Sequence, residues 1–314
     1  MMESPLVYLR LPNWLGDVCM SLPTLEALLA RNYRVLVCAR PWAKTLLSGY
    51  ALTGFVPMQG NWHQDARTLR QYRKNHQHKT CFGLSLPDSL SSALIFRWAG
   101  IPTAGYRDDG RRFLLRWSIK KPTTSLHAVE SWYYLAKQAT TIWQQPIAPT
   151  PMRSLHLAGV PKADPTLFGL DPKQKNILIA PTAVGLHKGQ VKIWPYYEAL
   201  TQALQAQNYQ VYMCPPPNEV EQALQKDPSA TRLDPLPLLA FAQLCKSVNV
   251  VICNDSGVSH LAAAVNAPQI TLIGVTDAAR TGPWSDRAIC LGQMGKWPSL
   301  ENVLQHTHLI STTP

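Results

Sequence analysis

Three stretches of this sequence hold residue types suited to chemistry on a phosphorylated substrate. In Asn254-Asp255-Ser256-Gly257-Val258-Ser259-His260, a polar turn follows the apolar run Val250–Cys253 and precedes the small residues Ala262, Ala263 and Ala264. That order predicts a buried strand, a tight turn and a helix lying close on a sheet. The first N–H groups of such a helix lack partners and sit at the positive end of its dipole, which suits a phosphate. Gly257 lets the ligand approach the backbone. The plainer reading is that Asp255 or Ser256 only caps a helix. His260, one turn in, reads on composition alone as a packing or hydrogen-bonding residue.

The second stretch runs from Pro181 to Pro195 and holds Gly185 and Gly189 among His187, Lys188 and Lys192, closing on Trp194-Pro195. Thr182 can donate to a phosphate oxygen, and Lys192 can stand beside it as a point charge. Alone this is a solvent-exposed loop; two such loops at strand ends of one sheet favour a shared diphosphate site. The third stretch, Leu11–Pro23, carries Asn13, Gly16 and Asp17. Asp17 is placed either to cap a helix or to take a proton from an attacking hydroxyl as general base. The chain has no G-x-x-x-x-G-K-[ST] loop, no G-x-G-x-x-G after its first strand and no H-E-x-x-H, and no D-x-D pair lies near either phosphate loop. Neither metal nor cofactor is therefore expected. Lys192 and backbone amides must meet the charge of a departing diphosphate.

The elements that position these stretches follow from apolar spacing. Strands are expected at Leu6–Arg10, Arg34–Ala39, Thr80–Leu86 and Thr103–Tyr106, with helices at Asp17–Arg31, Trp42–Ser48, Trp62–Asn75, Ser89–Ala99 and His127–Thr141. Six prolines between Pro146 and Pro172 favour an extended connection, so the domain boundary is placed near residue 160. Alternation then resumes, with strands at Asn176–Ala180, Gln210–Cys214, Asn249–Cys253 and, as the last clear one, Gln269–Ile273. The intervening helices are Trp194–Gln207, Asn218–Lys226, Leu236–Ser247 and Ser256–Asn266. The fold class is α/β, with two Rossmann-like domains, 1–160 and 161–314, whose mostly parallel sheets face a cleft.

The net charge of +11 is unevenly shared. Residues 1–160 hold 19 Lys and Arg against 8 Asp and Glu, whereas residues 161–314 hold 11 of each. The first half is thus expected to meet something anionic. Arg67, Arg70 and Lys74 fall on one helical face, with Arg73 and Lys79 nearby and a second basic run containing Arg111 and Arg112. A charge run is otherwise simply a solvated face. The seven scattered cysteines read as reduced, and no apolar run is long enough to span a bilayer. A cytoplasmic protein is expected, with any membrane contact peripheral and on the inner face of the cytoplasmic membrane.

Together, N-x-L-G-D-V near the start, the loop ending K-x-W-P, and N-D-S-G-V-S-H-L-A-A-A resemble the ADP-heptose:lipopolysaccharide heptosyltransferases of glycosyltransferase family 9. The segment His127-Ala128-Val129-Glu130 is similar too. The resemblance implies a GT-B fold with an N-terminal acceptor domain and a C-terminal nucleotide-sugar donor domain. It implies Asp17 as base and Lys192 on the donor phosphates, with Thr182 nearby. Asp255, Ser256, Gly257, Val258, Ser259 and His260 would bind the diphosphate, and a glutamate, Glu219 or else Glu221, would hold the ribose. The implied partners are ADP-heptose and a phosphorylated glycolipid acceptor, for which Asn13, Arg67, Arg70, Arg73, Lys74, Arg111 and Arg112 are the candidate contacts. The rival readings are another GT-B enzyme, a transferase or an epimerase using a different nucleotide sugar, and a non-catalytic anion-binding protein. Nucleic acid is not expected, since no aromatic-interleaved basic strand is present.

Overall fold

Runs such as LVYLR and NVVIC are apolar on both strand faces, the pattern of parallel strands covered by helices on either side. The computed structural model, which describes residues 4–76, 81–187 and 189–312, builds such a sheet twice. The chain divides between Met152 and Arg153, earlier than the position near residue 160 read from the prolines. The proline-rich stretch is shared between the units: Tyr133 Oη donates to Ala148 O (3.1 Å) in the first, whereas in the second Leu155 N–H donates to Trp284 O (3.1 Å), Leu157 N–H donates to Ala264 O (2.7 Å), and the Arg153 guanidinium stacks on the Trp284 ring at 3.9 Å.

The first unit contains β1 (Leu6–Arg10), β2 (Arg34–Ala39), β3 (Gly54–Pro57), β4 (Phe82–Ser85), β5 (Thr103–Tyr106) and β6 (Trp117–Ile119), all parallel, in the order β3-β2-β1-β4-β5-β6. The second contains β7 (Lys175–Ala180), a small antiparallel hairpin of β8 (Leu186–His187) and β9 (Gln190–Val191), then β10 (Tyr209–Met213), β11 (Thr231–Arg232), β12 (Val250–Asn254), β13 (Gln269–Ile273) and β14 (Ala288–Gly292). Its main sheet, again all parallel, runs β11-β10-β7-β12-β13-β14. In each sheet the founding strand lies third, flanked by the strands that precede and follow the reversal of winding. That is the Rossmann strand order, and its switch points fall between β1 and β4 and between β7 and β12.

Several elements depart from the sequence reading for local reasons. The single helix expected at Asp17–Arg31 is two, Leu15–Met20 and Leu22–Ala30. Pro23 sits in the first turn of the second helix, where it lacks only an N–H that would be unpaired anyway. The sheet does not end at Gln269–Ile273, because β14 pairs beside it. Strands β3, β6 and β11, short segments on or near the sheet edges, were not read from the sequence. Lys79 and Thr80 lie outside the described residues. Helix Ala128–Ile142 begins with a capping box in which Val129 N–H donates to His127 Nδ1 (3.2 Å) and His127 N–H donates to Glu130 Oε2 (3.1 Å), which accounts for the H-A-V-E segment. The seven cysteines are free thiols, and all but Cys290 are buried. No helix among the described residues is long and apolar enough to cross a membrane.

Candidate functional site

In the second unit, the loops leaving β7 and β12 are bound together by Asn254. This side chain ends an apolar strand and is wholly buried. Its Oδ1 accepts from Trp194 N–H (2.9 Å), and its Nδ2 donates to Ala180 O (3.2 Å) and Thr182 O (3.3 Å). One amide at the end of β12 thereby satisfies three backbone groups at the end of β7 and in the connection that follows it, and a buried polar group is tolerated only when it is paired in this way. Sequence reasoning counted Asn254 in the phosphate-binding stretch but gave its side chain no role. Its signal was a single amide closing the run VVIC.

Trp194 is the second anchor. It is fully buried, its indole Nε1 donates to Pro298 O (2.9 Å), and helix Tyr197–Gln205 starts just beyond it, later than expected. Lys192, two residues upstream and half-buried, is held where its Nζ donates to Asp255 O at 3.3 Å. The hairpin between Thr182 and Lys192 requires Gly185 and Gly189, whose φ angles of 83° and 81° strain any residue with a Cβ. Lys188 is outside the described residues.

Thr182 is buried and donates through Oγ1 to Glu219 Oε2 at 2.5 Å. Glu219 closes a short 3-10 turn, Pro217–Glu219, and is half-buried, whereas Glu221 is exposed and accepts from Gln225 within its own helix. Of the two glutamates, only Glu219 joins this group. Ser256 precedes helix Gly257–Ala264 in an extended conformation and makes no side-chain cap. Its buried Oγ has no hydrogen-bond partner among the described residues. The first N–H groups of that helix are therefore left uncapped by Ser256, beside the Lys192 ammonium, an arrangement that suits an anion. Ser259 turns inward, donating through Oγ to Ser256 O (2.8 Å), and the buried His260 lies with Nε2 3.8 Å from Asp255 Oδ1. Gly257 and Val258 are half-buried on the first turn. The next strand exit adds Thr276, buried with no partner for Oγ1 among the described residues and absent from the sequence reading. The path of that exit depends on Gly274, where an added Cβ would lie 2.1 Å from the Trp297 ring.

In the first unit, the exit of β1 carries Asn13, Trp14 and Asp17. Asn13 is exposed and accepts at Oδ1 from Arg10 Nη2 (2.7 Å). Arg10 is itself buried, donating also to Leu11 O and to Cys38 O (3.4 Å). Burial, the largest cause, pushes its pKa down; nearby Arg40 pushes the same way. Asp17 is half-buried in the first turn of helix Leu15–Met20, so a carboxylate and the helix N-terminus coincide.

The basic residues separate into two kinds. Arg67, Arg70, Lys74 and Arg112 are exposed. Arg73 turns inward and donates to Ala99 O (3.2 Å). Arg111 corrects the reading of a free surface cation: it is only 2% exposed and pairs with Asp88 Oδ1 at 3.1 Å, also donating to Asp108 O (2.9 Å). A buried guanidinium must be paired, and Asp88 and Asp108, which Lys121 also bridges, supply the countercharge. Among the described residues, no three His, Cys, Asp or Glu side chains cluster as metal ligands.

The sequence profile of glycosyltransferase family 9 (heptosyltransferase) matches residues 70–308. Lipopolysaccharide heptosyltransferase 2 of Escherichia coli K12 is 29% identical over 310 residues, covering 88% of this chain and 85% of that one. Lipooligosaccharide heptosyltransferase 2 of Haemophilus influenzae is 29% identical over 300 residues, with the same coverage. The solved structure of the E. coli ADP-heptose lipopolysaccharide heptosyltransferase II superposes with a TM-score of 0.76 at 24% identity, covering 97% of this chain and 98% of that one. The fold class is GT-B.

Proposed function

The chain belongs to glycosyltransferase family 9 (heptosyltransferase), a family of enzymes, and from that premise we propose that it moves a heptosyl unit from ADP-heptose to the phosphorylated inner core of lipopolysaccharide, with inversion and without a metal. The observation that carries this reading is the meeting of Lys192, the Thr182–Glu219 pair and the uncapped start of helix Gly257–Ala264 at one switch point. A diphosphate there meets a cation and backbone donors as its bond to the sugar breaks, the arrangement that stabilises developing charge most strongly. The Asp255–His260 turn holds the diphosphate, and Glu219 receives a ribose hydroxyl. The sugar and the acceptor follow from what the relatives are named for.

The reaction proceeds in one displacement. Asp17 takes the proton of an acceptor hydroxyl, that oxygen bonds to the anomeric carbon, and the carbon–oxygen bond to ADP breaks with its electron pair leaving on the diphosphate. Inversion follows from a single in-line attack. The first unit, with Asn13, Arg67, Arg70, Lys74 and Arg112, takes the acceptor. Its excess of cations supports a phosphorylated glycolipid and a cytoplasmic enzyme in peripheral contact with the inner face of the cytoplasmic membrane. Family membership favours transfer over the epimerase and non-catalytic readings.

The test is incubation with ADP-heptose and an inner-core glycolipid lacking the terminal heptose. The product should gain one heptosyl residue by mass spectrometry, release ADP in equal amount, and form at an unchanged rate in excess EDTA. Turnover of the nucleotide sugar without any acceptor, or transfer only from a different nucleotide sugar, would overturn the reading. Loss of rate in EDTA would overturn its metal independence.

A further inference from the structure

Of the chain's ten tryptophans, Trp14 is the most exposed, at 68%, and Trp98 follows at 54%. Trp14 is nonetheless fixed at its backbone. It is the N-cap of helix Leu15–Met20, with extended φ and ψ, and its carbonyl accepts from Val18 N–H at 3.0 Å. Its neighbour Asn13 is held by Arg10 Nη2, and Arg10 in turn holds the carbonyls of Leu11 and Cys38 from a buried position. An anchored loop therefore carries an indole into solvent, at the start of the helix whose first turn holds Asp17.

Leaving an indole in water forfeits stabilisation that burial would supply, so the occupant of that face is worth identifying. Arg10 is committed to carbonyls and to Asn13, so it does not mark a phosphate pocket. The neighbours on the loop are Asn13, which is polar and exposed, and Leu15, which is half-buried. Trp14 is the loop's one large apolar side chain that is exposed, unlike the contiguous apolar patches that protein interfaces and bilayers cover. A flat aromatic face with one amide beside it and one carboxylate a turn away fits a single pyranose ring. The ring's C–H face packs on the indole while its hydroxyls meet the polar groups. Because Asn13 Oδ1 accepts from Arg10, the Asn13 amide is oriented with its Nδ2 donors left for a sugar oxygen.

We propose that Trp14 is the stacking platform for the acceptor sugar, presenting its hydroxyl to Asp17, with Asn13 as the accompanying hydrogen-bond donor and Arg10 as the residue that positions both. This rests on the glycosyl-transfer reading above.

The experiment compares wild type, Trp14→Ala and Trp14→Phe in the transfer assay, with binding of the deacylated acceptor oligosaccharide followed in parallel by saturation-transfer NMR. Trp14→Ala should raise the acceptor KM roughly tenfold, the loss of about one aromatic contact, and lose the NMR contact. The ADP-heptose KM and the melting temperature should stay unchanged, and Trp14→Phe should recover most of the acceptor affinity. An unchanged acceptor KM, a Trp14→Phe variant no better than Trp14→Ala, or a donor KM rising in step with the acceptor KM would each overturn the proposal. A fall in kcat with the acceptor KM unchanged would mean that the loop only holds Asp17 in place. Wild type that binds the oligosaccharide through Trp14 but transfers nothing would overturn the transfer reading and leave the platform standing. Wild type that transfers heptose while its Trp14→Ala variant does so equally well would do the reverse.

Discussion

The two units build one sheet plan twice and equip its switch point in opposite ways. Outside β7 and β12 the polar side chains are buried and cross-tied: Asn254 bonds three backbone groups, Trp194 is sealed, and Thr182 is paired with Glu219. At the end of β1, Arg10 is buried, and the Asn13 side chain it holds faces water together with the neighbouring Trp14. The first pattern is that of a rigid cradle for a ligand of fixed shape, such as a nucleoside diphosphate. The second is an anchored loop that offers its functional groups to a partner arriving from solution. Strand order determines where a ligand can sit; the burial of the polar groups there distinguishes a preformed pocket from a docking edge.

If this division holds, variants at the two edges should fail differently. Asp17→Asn should have the largest effect, lowering kcat by about 10²- to 10⁴-fold, the usual worth of a general base, without altering the melting temperature. A variant that keeps near-wild-type turnover would remove Asp17 from the chemistry. Lys192→Ala comes next. Removing one charge-assisted contact to the leaving group should cost about 10- to 100-fold in kcat/KM for ADP-heptose, with the acceptor KM unmoved. Asn254→Ala should act on the cradle as a whole. Each buried backbone group it strands costs about 1–3 kcal/mol, so chemical denaturation should show a clear loss of stability together with a weakened donor KM. Stability lost with the donor KM intact would mean that the tie is purely structural. The smallest effect belongs to Arg67→Ala with Arg70→Ala. On exposed side chains it should raise the acceptor KM a few-fold at low salt and fade as salt screens it, leaving the donor KM unchanged.

The sequence was most informative where one short segment determines the outcome. Helix Trp62–Asn75 and strands β5 and β13 fall where apolar spacing puts them, and the D-S-G turn opens a helix as its composition demands. It was least informative where an outcome depends on distant partners. Arg111 read as one cation among many in a basic run, because Asp88, the acid that buries it, lies on a different segment. Asn254 read as one residue of a polar turn with no role of its own, since its three bonds go to Ala180, Thr182 and Trp194, all far away in sequence. Arg10 read only as the last residue of a strand, although the fold sets its guanidinium against Asn13.

The division of labour between the two edges is tested most directly by calorimetric titration of ADP into wild type, Lys192→Ala and Asp17→Asn in parallel. Lys192→Ala should bind ADP at least about tenfold more weakly, for a lost charge-assisted contact, while Asp17→Asn binds it as wild type does. Equal weakening in both variants, or undiminished binding to Lys192→Ala, would contradict the assignment of the diphosphate to the second unit's edge.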